Sequence, residues 1–437
     1  MINEREMCLL RRIRADRAFG HLEKITRLGI RTAGGQAASE TDEYISDHLA
    51  SLGLSVSAEP FAEQCFSVGE YGFEIESPSN VTINCLPMMF SSPAPGAGVT
   101  GGLIYANRGR ESDYEGLDVS GQIVLIDRDP HIETDTYYRE VKLAGEKGAV
   151  GLVLVNFQPW AFIGTLESAL FDPARRFLPL PDDGPPSVCI SSEDGGRLKE
   201  RLQAGPVKAR LKIEAETKSM PLNNIRGLIP GQRRPDKRIV ICAHLDSEAN
   251  CGANDNGSGL GIMLELAGVF AVDPPDVTVE FLAVNGEEIS IMGSHHYCQR
   301  HRDDLKDIIC VLNIDMVGVG DKLGLVTRGG WPDQAVTYPQ WLNTMIFALA
   351  RELGHKLNRL DCPLGTSDEG NFLAAGVPAA FFWNPDDTCY HSPLDRPERV
   401  DPNNLQAVAE IVALTVMRLA DQVVTADRQE IYGDRHV

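Results

Sequence analysis

Uninterrupted apolar runs, rather than alternating ones, mark the C-terminal half of this chain. Residues 238–243, 277–284, 308–315 and 379–383 are apolar for most of their length and stop at polar or turn-forming residues, the pattern of strands buried on both faces. Between them the spacing becomes helical. Leu260, Met263, Leu264, Leu266, Ala267 and Phe270 share one stripe, and helices are also expected over 338–353 and 405–424. Buried strands alternating with helices predict an α/β fold, a mainly parallel central sheet with helices on both faces.

The N-terminal half reads differently. Residues 16–54 look helical in two pieces broken at Gly29 and at Gly34-Gly35, the second over 39–52 with Tyr44, Ile45, His48, Leu49 and Leu52 on one side. Short β-like runs fill 55–85, and a Pro- and Ser-punctuated stretch, 87–95, offers a domain boundary. Beyond it, strands are expected at 101–106, 122–127, 150–156 and 188–191, with a helix over 138–148 and a Pro-rich loop over 177–186. Residues 1–89 are therefore read as the first part of the main domain, 90–215 as a β-rich insert, 216–424 as the rest of the main domain and 425–437 as a polar tail.

Composition narrows the function. The chain has 437 residues, 43% of them apolar, enough for two or three packed domains at about 150 residues each. A net charge of −21 argues against nucleic acid and against an anionic membrane surface as partners. No window approaches the roughly 18 apolar residues of a membrane span. The first dozen residues hold no apolar signal core, and the ten cysteines are scattered with no Cys-x-x-Cys pair. Reduced thiols and a cytoplasmic location are the expectation. Oligomeric state is not legible.

The chemistry sits at the predicted strand ends. His244 and Asp246 close one strand and precede the loop Gly252-Ala-Asn-Asp-Asn-Gly-Ser-Gly259; Glu287-Glu288, Asp315 and Tyr390-His391 end or follow three others. Open α/β sheets keep their sites at this edge. Imidazole and carboxylate are the donors that bind a divalent metal, and His-x-Asp lets the carboxylate orient the imidazole. Two adjacent acids can divide the labour, one on metal and one facing a water. Other candidates are weaker. His295 and His296 are adjacent and cannot share a helix face. Gly257-Ser-Gly-Leu-Gly261 lacks the full nucleotide-loop order, Ser258 and Ser294 lack a nucleophile-elbow context, and Cys242 and Cys251 read as a core and a loop thiol.

Taken together, Ala243-His-Leu-Asp-Ser247, Gly252–Gly259, Asn285-Gly-Glu-Glu-Ile-Ser-Ile-Met-Gly-Ser294, Asn313-Ile-Asp315, Ser367-Asp-Glu-Gly-Asn-Phe372, Tyr390-His391 and the Arg31–Gly35 region resemble the co-catalytic dinuclear zinc aminopeptidase family, whose relatives include glutamate carboxypeptidase, transferrin receptor and glutaminyl cyclase. The stretches Val119–Asp127 and Lys142–Val155 resemble a protease-associated domain, as an insert that shapes substrate access in relatives. The resemblance implies two divalent ions, zinc first among them. Asp255 would bridge them, Glu288 and His391 would complete one shell, and His244 and Asp315 the other. Glu287 would be the general base acting on a two-metal-bound hydroxide, Asp246 the partner of His244, and Tyr390 an oxyanion stabiliser. It also implies a cis bond at Asp255-Asn256. The chain departs from the family at Glu369, where relatives often carry His or Tyr, which puts the substrate pocket in doubt. The implied function is an exopeptidase acting on peptide substrates, an aminopeptidase first. The alternatives are a carboxypeptidase, for which Arg328 and Arg396 are the nearby basic candidates, a glutaminyl cyclase-like acyl transferase, and a non-catalytic binding protein on the same scaffold.

Overall fold

A computed structural model describes residues 2–129, 137–162, 184–248, 250–331, 334–362 and 366–425. Residues 177–183 of the Pro-rich loop at 177–186 and the tail from 426 lie outside the described residues. The chain forms two compact units, one of Met1–Glu63, Met220–Tyr390 and Leu394–Val437, the other of Gln64–Ser219 and His391–Pro393. The composition break at 87–95 falls inside the second unit. Two long strands, Ser55–Ser77 and Lys208–Ile229, run from one unit into the other without a turn.

In the first unit, Ala379–Trp383, Ile308–Ile314, Arg234–His244 and Val277–Val284 are neighbours in that order and all parallel. Antiparallel strands flank them: the C-terminal part of Lys208–Ile229 on one side, Gly324–Trp331 and then Gln334–Thr337 on the other. The lack of polar alternation in the central strands follows from what they touch. Ile239, Ile241, Ala243, Val279 and Phe281 face a core shared with helices Gly259–Val272 and Pro402–Thr425. Their neighbours Val240, Cys242, Leu282 and Val284 face the opposite core, with Tyr297 and Phe372 from helices Met292–Arg300 and Glu369–Ala374. Both faces are covered, and each fully buried Leu, Ile, Val or Phe contributes about 1.5–3 kcal/mol. Because the four strands are parallel, their carboxyl ends meet at one sheet edge, and the candidate site residues lie at or beyond those ends.

Several elements had no strong signal in the sequence. Glu4–Leu10 is a short helix closed by a capping box, in which the Asn3 side chain accepts from Glu6 N at 2.9 Å and Glu6 accepts from Asn3 N at 2.8 Å. Gly324–Trp331 is a strand despite Gly329-Gly330, because Asn358–Cys362 pairs along one side of it.

The second unit carries parallel strands of its own. Ala94–Tyr105, Ile123–Asp127, Gly151–Val155 and Ser187–Ile190 are successive parallel neighbours, with antiparallel Lys208–Ile229 and Cys85–Pro87 at the ends. Val124, Ile126, Leu152 and Leu154 pack to one side with helix Tyr138–Glu146, and Ile123, Leu125, Val153 and Val155 to the other with helix Ser192–Ala204. None of the ten cysteines, all among the described residues, is disulfide-bonded. Among the described residues no helix is long and apolar enough to cross a membrane.

Candidate metal centre and active site

His244 is the last residue of its strand and is buried. Its Nε2 faces Asp255 Oδ1 at 3.0 Å and Asp315 Oδ1 at 3.3 Å, and its Nδ1 lies 3.2 Å from the carbonyl oxygen of Asp246 and 3.6 Å from that residue's Oδ1. Burial disfavours a charged imidazole, but Asp315, Asp246 and Asp255 outweigh it and hold the His244 pKa well above the ordinary range. A ring nitrogen aimed between two carboxylates is an arrangement that a cation completes.

Two groups of donors emerge. His244, Asp255 and Asp315 each offer a ligand atom within 4.8 Å of the others, and so do Asp255, Glu288 and His391. All five residues are buried, and Asp255 belongs to both groups. The donor set fits zinc-like ions: nitrogen and oxygen donors, three from the protein in each group. When ionised, the three ligand carboxylates and the neighbouring Glu287 would carry four negative charges, which two dications would balance.

The loop that presents Asp255 is fixed from several directions. The bond Asp255–Asn256 is cis. Asn254 N and Asp255 N donate to the two carboxylate oxygens of Asp395 at 2.7 and 3.1 Å, and Asn254 Nδ2 donates to Asp387 at 2.9 Å. Asn256 Nδ2 donates to the Ile314 carbonyl at 2.8 Å, tying the loop to the strand end that precedes Asp315. Gly252 has φ +54, and a Cβ there would stand 2.1 Å from the Asp255 carbonyl oxygen, so a side chain is excluded. The fully buried Arg31 donates from Nε to the Leu245 carbonyl at 2.6 Å, from Nη2 to that of Gly252 at 3.1 Å and from Nη1 to that of Cys251. Arg31 thereby closes the stretch 245–252 and places a cation behind the carboxylates.

Asp246 has a second role that His-x-Asp spacing does not reveal. Its Oδ1 accepts from Glu287 N at 3.2 Å and its Oδ2 from Glu288 N at 3.1 Å. One buried carboxylate thus orients His244 and clamps the backbone of both adjacent acids. Burial pushes the Glu287 pKa well up; His244 opposes this, while Asp315, Glu288 and Asp368 reinforce it. Asp315 Oδ2 accepts from Ser367 Oγ at 2.7 Å.

The other sequence candidates fall elsewhere. Tyr390 is partly exposed and immediately precedes His391 in the chain. His296 stacks on Phe61 and bonds Glu63 at 2.7 Å, and His295 meets Gln299, so neither joins the two donor groups. Arg328 is 82% exposed and pairs with Asp361 at 3.7 Å. Asp395, Asp387 and Arg31 were missed as site residues because each acts on residues more than 130 positions away, Asp395 and Arg31 on backbone atoms and Asp387 on the Asn254 side chain.

Residues 224–416, which hold every residue of the two donor groups, match Peptidase family M28. The chain carries a peptidase family M28 domain. Residues 98–198 match the PA domain, so the chain carries both domains. It is similar to aminopeptidase YwaD of Bacillus subtilis (strain 168), 28% identical over 92% of this chain and 84% of that protein. Among solved structures it resembles the zinc aminopeptidase of Bacillus subtilis, with a TM-score of 0.75, 26% identity and coverage of 97% of this chain and 99% of that one. The aminopeptidase from Aneurinibacillus sp. strain AM-1 superposes with a TM-score of 0.70 at 25% identity, covering 94% of this chain and 95% of its own.

Proposed function

We propose that this M28 metallopeptidase is a two-metal aminopeptidase that removes N-terminal residues from short peptides. The observation that carries the reading is the sharing of Asp255 by two buried donor groups, each with one imidazole and two carboxylates. His244, Asp255 and Asp315 would hold one ion, and Asp255, Glu288 and His391 the other. A pair of dications about 3.5–4 Å apart polarises a carbonyl and makes water acidic near neutral pH. Glu287, pinned through its backbone by Asp246, stands beside this centre to take a proton from the attacking water and give it to the leaving amine.

The charge balance supports the amino end. Asp246, Asp255, Glu287, Glu288, Asp315, Asp368 and Asp395 act on one another or on Arg31 and His244. This concentration of carboxyl groups around the two donor groups favours an α-ammonium over a terminal carboxylate. The exposed position of Arg328 removes one of the two cations on which a carboxypeptidase reading rests.

Metal-loaded protein is expected to bind about two divalent ions per chain by elemental analysis and to lose hydrolysis on chelation. At most one ion in fully active protein would remove the dinuclear reading. In a separate comparison, free short peptides should lose their first residue while N-acetylated versions react slowly. Losing one partner of a desolvated charge pair costs about 2–5 kcal/mol, which lowers kcat/KM roughly 30-fold or more. Equal cleavage of the two, or release of C-terminal residues first, would move the assignment to a carboxypeptidase.

A further inference from the structure

Glu369 begins helix Glu369–Ala374 and lies away from solvent altogether, at 0% exposure. Its Oε1 accepts from Tyr338 Oη at 2.6 Å and its Oε2 from Asn313 Nδ2 at 3.0 Å. Ser367 N donates to both carboxylate oxygens, at 3.4 and 3.2 Å. These three partners are donors, which suits an ionised carboxylate. Burial nevertheless pushes the Glu369 pKa up to about 7, against the pull of Tyr338 and Asn313.

The partners show what the anchor is for. Asn313 lies two residues before Asp315 on strand Ile308–Ile314 and its end. Ser367, whose N–H Glu369 holds, is the residue whose hydroxyl donates to Asp315 Oδ2 at 2.7 Å. The intervening Asp368 accepts from Ser294 Oγ at 2.6 Å, and Asn371 Nδ2 donates to that hydroxyl and to the Ile291 carbonyl, both at 2.8 Å. The segment 367–371 therefore grips two of the chain stretches that carry candidate metal ligands.

We infer that Glu369 is a positioning residue for the metal centre. It locks the Ser367 N–H to the Asn313 side chain, so that the Ser367 hydroxyl fixes the free oxygen of Asp315 and leaves Oδ1 aimed at the His244 side. The inference rests on the two-metal reading of the site. It also accounts for the carboxylate here, which accepts from Tyr338, Ser367 and Asn313 at once.

The test is a zinc titration of the metal-depleted full chain, with folding checked by near-UV circular dichroism. Glu369→Gln keeps the volume but turns an amide NH2 toward the donating Asn313 or toward Tyr338 and Ser367. Its affinity for one of the two ions is expected to fall about 10–100-fold, the range for partners that orient a metal ligand. Ser367→Ala should give a similar loss, and the double variant should lose no more than the larger single one, because both act through one bond to Asp315. Exchanging the groups in Asn313→Asp/Glu369→Gln lets the Gln amide donate to the new carboxylate, and affinity should return to within about threefold of the parent. This pair keeps the test open if Glu369→Gln alone does not fold. Unchanged affinity in folded Glu369→Gln, additive losses in the double variant, or a folded exchange pair that recovers nothing would each overturn the inference. A parent chain that takes up no more than one ion defeats the two-metal reading first, whereas a parent that binds two with unaltered variants defeats this inference alone.

Discussion

Glu287→Gln is expected to lower kcat by about 10²–10⁴ while leaving metal content and thermal stability close to the parent's. The range is that of removing a general base. The substitution is nearly isosteric and leaves the backbone N–H that donates to Asp246 at 3.2 Å, so the adjacent Glu288 stays in place to ligate. What goes is the basic carboxylate. In the parent that group is surrounded by pressures of both signs: burial, Asp315, Glu288 and Asp368 favour the protonated form, and His244 favours the ionised one. Bound dications add to the second side, which is why the base and the metal centre must be assembled together. The measurement is kcat against a free short peptide beside elemental analysis of the same sample. Near-normal turnover in Glu287→Gln would show that another group takes the proton.

Much of this site was legible because parallel sheets advertise their strands and their strand ends. Residues such as Val240, Ile241 and Cys242 are all buried, since successive side chains enter two different cores. The resulting apolar run can end only where the chain leaves the sheet, and His244, Glu287-Glu288, Asp315 and His391 stand at or after such ends. The supporting residues were not legible, for a physical reason. Arg31 donates to carbonyls of Leu245 and Gly252, and Asp395 accepts from amides of Asn254 and Asp255. Backbone partners leave no mark on the identity of the residues they belong to. Glu369 could be noticed as unusual but not interpreted, because its meaning depends on Tyr338 and Asn313, which are distant in sequence. The short helix Glu4–Leu10 escaped for want of length, although Asn3 and Glu6 carry its cap.

Asp255→Asn should behave in the opposite way to the base variant, losing metal before it loses anything else. Asp255 is the one residue that both donor groups share, and its Oδ1 lies 3.0 Å from His244 Nε2. A carboxylate offers two anionic oxygens to two cations; an amide offers one neutral oxygen and a donor pair that points a positive edge at the second site. The loop itself has no reason to move, because Asp395 holds the backbone N–H groups of residues 254 and 255 and Asn256 holds the Ile314 carbonyl. Residues that merely orient a ligand are worth about 10–100-fold in affinity, so a ligand shared by two ions should cost more than about 100-fold. Stability supplies an independent readout. Ions that bind only the folded chain raise its stability by about 2.7 kcal/mol when free metal is 100 times the dissociation constant. Chelation should therefore lower the parent's Tm, and Glu287→Gln should follow it, while Asp255→Asn should melt at the same temperature with or without the chelator. Two ions retained in Asp255→Asn, together with a chelator-sensitive Tm, would take Asp255 out of the shared position and leave the two donor groups to be held together by something else.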